Sequence, residues 1–265
     1  MEREPDATAT TGQQANQTWG VDLSTNPKNT AAVCIDWSTP SARVIEFRSP
    51  MDANDLVSLI ADHRLAWWGV DVPFGWPIEF ARFVARHLDG PTTIAYDADS
   101  WASPLRLRRT DRTLMAGDPP RRMNPLSVAH DRLGSVAVLW AYVEQALSKA
   151  TPALRIDRSG MTGPLFETYP TAIRVQWNLP KRGSDGERDV IAGRIERAGI
   201  NIDVLRDSGT MATEHVWDAL LCALAARARQ LGDHAALTPE DLPIAVHEGW
   251  IHLPTRSLES LSAST

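Results

Sequence analysis

The sequence predicts an α/β protein built on a mixed sheet, and three observations carry that prediction. Three short β-rich runs, 18–23, 31–37 and 42–48, follow one another through brief turn-forming links. A helix-spaced segment, Asp52 to His63, then separates them from a fourth apolar run at 66–72. Finally, 265 residues with 43% hydrophobic content suffice for the core of one sizeable α/β domain.

Each element has a local reason. Ala31-Ala32-Val33-Cys34-Ile35-Asp36-Trp37 is apolar throughout, and Arg43-Val44-Ile45-Glu46-Phe47 alternates. Asn26-Pro27-Lys28-Asn29 and Thr39-Pro40-Ser41 supply turns, so an antiparallel meander is expected. Leu56, Leu59, Ile60 and His63 recur at helical spacing. A strand, a helix and a further strand imply a crossover to a parallel neighbour, and the first strand is the expected neighbour of 66–72. A helix is predicted from Trp76-Pro77 to about His87, and a long apolar helix over Leu126–Lys149. A short strand is expected at Gly163–Glu167 and a short helix at Pro170–Trp177. A charged helix at Gly186–Ala198, an Ala-rich helix at Ala212–Leu231 and an edge strand at Trp250–Leu253 complete the set. Residues 88–125 carry Pro, Asp and Arg with little periodicity and read as an insertion into a single domain spanning 18–254. Residues 1–17 read as a disordered leader and 255–265 as a flexible tail.

Composition excludes several classes. No run approaches the roughly 20 apolar residues of a membrane span, and the polar N-terminus lacks the apolar core of a signal peptide. Cys34 and Cys222 each lie in apolar runs, as buried small side chains do, and a cytoplasmic location is expected. A formal charge of −6 argues against a protein that coats nucleic acid, but it allows a local basic groove around an acidic centre. The chain has no Walker A pattern, no Gly-x-Gly-x-x-Gly and no Cys-x-x-Cys.

Two apolar runs end in an aspartate and break into a turn: Trp19-Gly20-Val21-Asp22-Leu23-Ser24 and Trp67-Trp68-Gly69-Val70-Asp71-Val72-Pro73. Either Asp alone would serve as a turn or helix cap. As a pair in matched contexts they point to two neighbouring strands presenting acids at one sheet edge, where a divalent metal relieves repulsion. Asp218 lies in Glu214-His215-Val216-Trp217-Asp218, on one helical face with Glu214. From Val216 onward this helix is apolar, so Asp218 needs an arginine or a metal. Glu167 ends a strand-like run; it is either a fourth acid or an N-terminal acid for the helix after Pro170.

These motifs, in order, resemble a bacterial and archaeal family, the domain of unknown function numbered 429, described as a predicted nuclease. The resemblance rests on Gly20-Val21-Asp22-Leu23, Gly69-Val70-Asp71-Val72-Pro73-Phe74-Gly75, Arg109-Thr110-Asp111, Phe166-Glu167-Thr168-Tyr169-Pro170, Trp217-Asp218-Ala219-Leu220 and Glu248-Gly249-Trp250-Ile251-His252-Leu253-Pro254. It implies a ribonuclease-H-like mixed sheet, an antiparallel three-strand meander plus parallel strands flanked by helices. It also implies a metal-dependent nuclease or phosphodiesterase holding two Mg²⁺ or Mn²⁺ ions on Asp22, Asp71 and Asp218, with Glu167 as a fourth catalytic acid. Other members of that superfamily bind ATP, so an ATP- or nucleotide-using enzyme of the actin-like ATPase group stands as an alternative, as does a non-catalytic metal-dependent binding module.

Six arginines crowd residues 106–122 against Asp111 and Asp118. Guanidinium groups grip phosphates, so Arg108, Arg109 and Arg112, with Asp111 orienting Arg109, are candidate contacts to a nucleic acid or nucleotide. A solvated loop with internal ion pairs is the other reading. Phe74 and Trp76, after Asp71, either stack on a base or pack beneath the loop.

Overall fold

The computed structural model describes residues 14–38, 41–91, 103–117, 121–209 and 213–262. Most of the predicted leader, residues 1–13, lies outside that set. The chain forms a six-stranded mixed sheet in the order β5-β4-β1-β2-β3-β6. Strands β1 (Gln17–Asp22), β2 (Ala31–Asp36) and β3 (Ala42–Arg48) make the expected antiparallel meander. Helix α1 (Ala53–Asp62) crosses to β4 (Trp67–Asp71), which lies parallel to β1. Asp52 starts α1 through a capping box: its side chain accepts from the Asn54 and Asp55 amides, while the Asp55 carboxylate accepts from the Asp52 amide. Then come α2 (Ile78–Leu88), α3 (Arg109–Met115), α4 (Leu133–Ala150), β5 (Leu165–Glu167) and α5 (Pro170–Gln176). They are followed by α6 (Glu187–Arg197), β6 (Ile200–Asn201), α7 (Asp203–Asp207), α8 (Glu214–Gln230) and α9 (Leu242–Glu248). No helix among the described residues is long and apolar enough to cross a membrane.

The pleat divides the sheet into two faces. Trp19, Val21, Trp68 and Val70 pack with α1 and α4 on one face. Trp19 and Trp68 are register partners, and their rings stack at 5.2 Å. On the other face Ala31, Val33, Ile35 and Val44 pack against α6 and α8. Cys34 and Cys222 are both buried free thiols.

Gly20 and Gly69 are also register partners and face α8. A Cβ on Gly20 would stand 1.9 Å from the Ala219 carbonyl oxygen and 2.1 Å from the Ala223 nitrogen. A Cβ on Gly69 would stand 2.5 Å from the Cys222 carbonyl oxygen. The glycine pair is thus a trough in which the backbone of α8 rests directly on the sheet.

Several expectations are corrected. Helix α4 begins at Leu133, not Leu126, because Ser127 to Asp131 form a closed turn in which the Asp131 carboxylate accepts the Ser127 amide at 2.7 Å. The insertion contains α3, a charged helix too short for an apolar period to register. The segment at 250–253 is a single bridge between Ile251 and Glu167, not an edge strand. Part of the tail expected to be flexible folds back as a 3-10 turn, Leu258–Ser262, since Leu258 and Leu261 bury their side chains against α6 and α8.

Candidate functional site

The acids meet where β1 and β4 end. Asp22 and Asp71 are register partners on parallel strands, so both carboxylates leave the sheet on the face covered by α8. Because the glycine trough seats α8 directly on the sheet, Asp218, one turn into that helix, stands over the same edge. Asp22, Asp71, Asp218 and Glu167 all line one cleft of about 270 Å³, together with Tyr169 and Arg182. Glu167 pairs with Val70 rather than Asp71, so it leaves the sheet on the opposite face and reaches the cleft from its margin.

The four acids are held differently. His215 Nδ1 lies 2.8 Å from Asp22 Oδ2, and this bond raises the imidazole pKa above its ordinary value. Asp218 is clamped by two arginines: Arg174 Nη2 at 3.3 Å, buried, and Arg182 Nη2 at 2.9 Å, largely exposed. Arg182 also pairs with Glu214. Burial pushes the Asp218 carboxyl up, against the pull of Arg182. Among the described residues nothing donates to or pairs with the half-buried Asp71 carboxylate. Burial first, and then the neighbouring Asp22, Asp218 and Glu167, raise its pKa well above the usual carboxylate range. No group of three or more His, Cys, Asp or Glu side chains among the described residues is arranged to hold a metal ion.

Glu167 belongs to a separate network. Its Oε1 and Oε2 accept Arg108 Nη2 at 2.7 Å and Nη1 at 2.8 Å, and Oε2 also accepts the Phe74 amide at 2.9 Å. Arg108 gives its remaining donors to Asp111 Oδ2 and Oδ1, both at 3.1 Å, and to the Glu248 carbonyl, also at 3.1 Å. All five guanidinium hydrogens are therefore used. Burial alone would depress the Arg108 pKa, but Asp111 and Glu167 outweigh it and hold the group charged. Gly249, at φ +84, leaves room for this network: a Cβ there would stand 2.6 Å from Glu167 Oε2.

The arginine segment is corrected accordingly. Arg108 is 2% exposed and fully committed, so it is not available to a phosphate. Asp111 orients Arg108 rather than Arg109, and its carboxylate accepts the Arg108 amide at 3.0 Å to cap α3. Arg109 pairs with Asp241 at 2.7 Å, and neither it nor Arg112 lines the cleft. Phe74 stacks on Trp140 at 4.5 Å, buried beneath the loop. Sequence reasoning missed Arg174 and Arg182, which lie in or just after α5 with no motif to mark them. It also missed Glu248, whose carboxylate accepts the Ile78 amide at 2.8 Å and the Arg109 amide at 2.5 Å, capping α2 and α3 together.

Fold and site together define an α/β protein with a carboxylate-centred cleft at the edge of a mixed sheet. The chain belongs to the family described as "Protein of unknown function (DUF429)", whose model matches residues 20–243. Comparison with curated proteins and with solved structures found no match for the chain.

Proposed function

We propose that the cleft hydrolyses phosphodiester bonds with a divalent cation, Mg²⁺ or Mn²⁺, held by Asp22 and Asp71. The observation that carries this is the half-buried Asp71 carboxylate, set beside Asp22 and with no hydrogen-bond or ion-pair partner among the described residues. A hard cation with oxygen ligands relieves that repulsion. The donor set fits an ion at these two acids. It does not fit at Glu167, whose oxygens are taken by Arg108 and the Phe74 amide. Asp218 would join as a third ligand by giving up Arg182, the more exposed of its two arginines. The meander, the parallel strands and the acids on β1, β4 and α8 support the ribonuclease-H-like reading.

When bound, the cation would lower the pKa of a coordinated water and neutralise charge on the phosphate. The chain's own residues do the rest. His215 fixes the orientation of the Asp22 carboxylate. Arg174 keeps Asp218 in the cleft, and Arg182 offers a guanidinium fork at its margin to a phosphate. Leu133 and Val136 supply an apolar wall that limits water around the reacting group.

The arginine clamp on Asp218 favours a second reading, a binding module that takes up a cation without turnover. The test is incubation of the protein with labelled oligonucleotides and nucleotides in Mg²⁺ or Mn²⁺, beside Asp71→Asn. Cation-dependent cleavage in wild type alone supports hydrolysis. Cation binding by calorimetry with no product from any substrate overturns it in favour of the module.

A further inference from the structure

Helix α2 is amphipathic yet buries none of its residues. Phe80, Phe83, Val84, His87 and Leu88 share one helical face, with Leu88 81% exposed. The Phe83 and His87 rings stack at 5.5 Å. This face continues into residues 121–133, because the Phe80 ring lies 5.6 Å from that of His130. The 121–133 segment in turn supplies Pro125, Leu126 and Leu133 to the cleft lining, with Leu126 48% exposed. Apolar and aromatic side chains therefore link α2, through His130, to the lining of the acidic cleft.

Its charge is opposite to that of the whole chain. Residues 78–91 and 121–133 hold five arginines against three acids, while the protein carries −6. Arg82 pairs with Glu79. Arg86, Arg121, Arg122 and Arg132 are exposed and make no ion pair among the described residues. A polyanion with flat apolar faces matches this surface: its phosphates answer the unpaired arginines, and its bases answer the rings.

We propose that this wall binds a single strand of nucleic acid and leads it into the cleft, an inference that rests on the phosphodiester reading of the cleft. Arg121 and Arg122 hold the backbone near the mouth, while Phe83 and its neighbours take unstacked bases. A duplex hides its base faces and gains only the charge term.

The test is fluorescence anisotropy of a labelled single-stranded oligonucleotide over a salt series, without divalent cation. Arg121→Gln/Arg122→Gln should weaken binding about tenfold and lower the salt slope by about 1.4, the single-strand value for two phosphate contacts. Phe83→Ala should weaken it roughly tenfold with the slope unchanged. Arg64→Gln, an exposed arginine at the far end of β4, should change nothing. Wild-type affinity and slope in both wall variants would overturn the proposal, as would equal affinity for duplex or no binding of the single strand. Loss of binding in the wall variants, with no hydrolysis by wild type in any cation, would sustain the wall and overturn the cleft reading alone.

Discussion

Replacing Arg108 with Met separates a structural guanidinium from a substrate contact. The side chain is 2% exposed and gives five hydrogen bonds to Glu167, Asp111 and the Glu248 carbonyl. Methionine fills similar volume but leaves two buried carboxylates without their cation. Breaking a buried pair in this way costs about 3–5 kcal/mol, against a total stability of about 5–15 kcal/mol. At this chain length that lowers Tm by roughly 6–20 °C. Urea unfolding followed by tryptophan fluorescence reads the loss directly, since Trp19, Trp68 and Trp140 are buried in the core. Arg108→Lys keeps the charge but not the fork and should fall between the two. Adding Glu167→Gln and Asp111→Asn to Arg108→Met should recover part of the loss, because the stranded charges are gone. An Arg108→Met protein with wild-type unfolding and impaired oligonucleotide binding would refute the reasoning and return Arg108 to the substrate.

Three further outcomes are expected. Asp71→Asn should stabilise the cation-free protein near neutral pH, since its carboxyl is pushed up by burial and by Asp22; it should also abolish any Tm rise with Mn²⁺, and differential scanning fluorimetry reads both. His252 is buried with Nε2 on the Ser159 carbonyl at 2.7 Å, and burial lowers its pKa from 6.5 to about 4. The unfolded chain therefore takes up that proton first, so stability is full above the ordinary value and falls by about 3 kcal/mol as pH drops through the window; His252→Asn should flatten that part of a urea-midpoint profile, and an unchanged slope would count against it. Gly20→Ala drives a methyl into helix backbone and should cost about 3 kcal/mol or more in urea unfolding, at the upper end of overpacking.

The site acids were legible because the sheet imposes pattern. Two buried strands that both end in Gly-Val-Asp can be aligned by eye, and the structure makes Asp22 and Asp71 register partners. Asp218 was legible because an acid inside an apolar helix needs a partner, although the sequence left open whether arginine or metal supplies it. Arg108 was misread for a physical reason: a run of arginines looks solvated, and burial of one member depends on acids 59 and 3 residues away. Helix α3 was invisible because seven residues held by a capping carboxylate and ion pairs carry no hydrophobic period. Leu258 and Leu261 were lost among serines, where two apolar residues give too little pattern to outweigh composition.

The double cap at Glu248 has a consequence for the order of assembly. One carboxylate ties the first amide of α2, 170 residues away in sequence, to the first amide of α3, 139 away. The β1–β3 meander closes over a few residues and can form early, whereas these ties wait until nearly the whole chain is made and collapsed. The Asp22–Asp71 pair needs only residues 17–71, through β1 and β4, so it is expected to form before these walls, whereas Asp218 arrives with the late helix α8. The same ordering run backwards predicts that α2 and α3 open before the sheet, which amide hydrogen exchange would read as lower protection there than in β1 and β4.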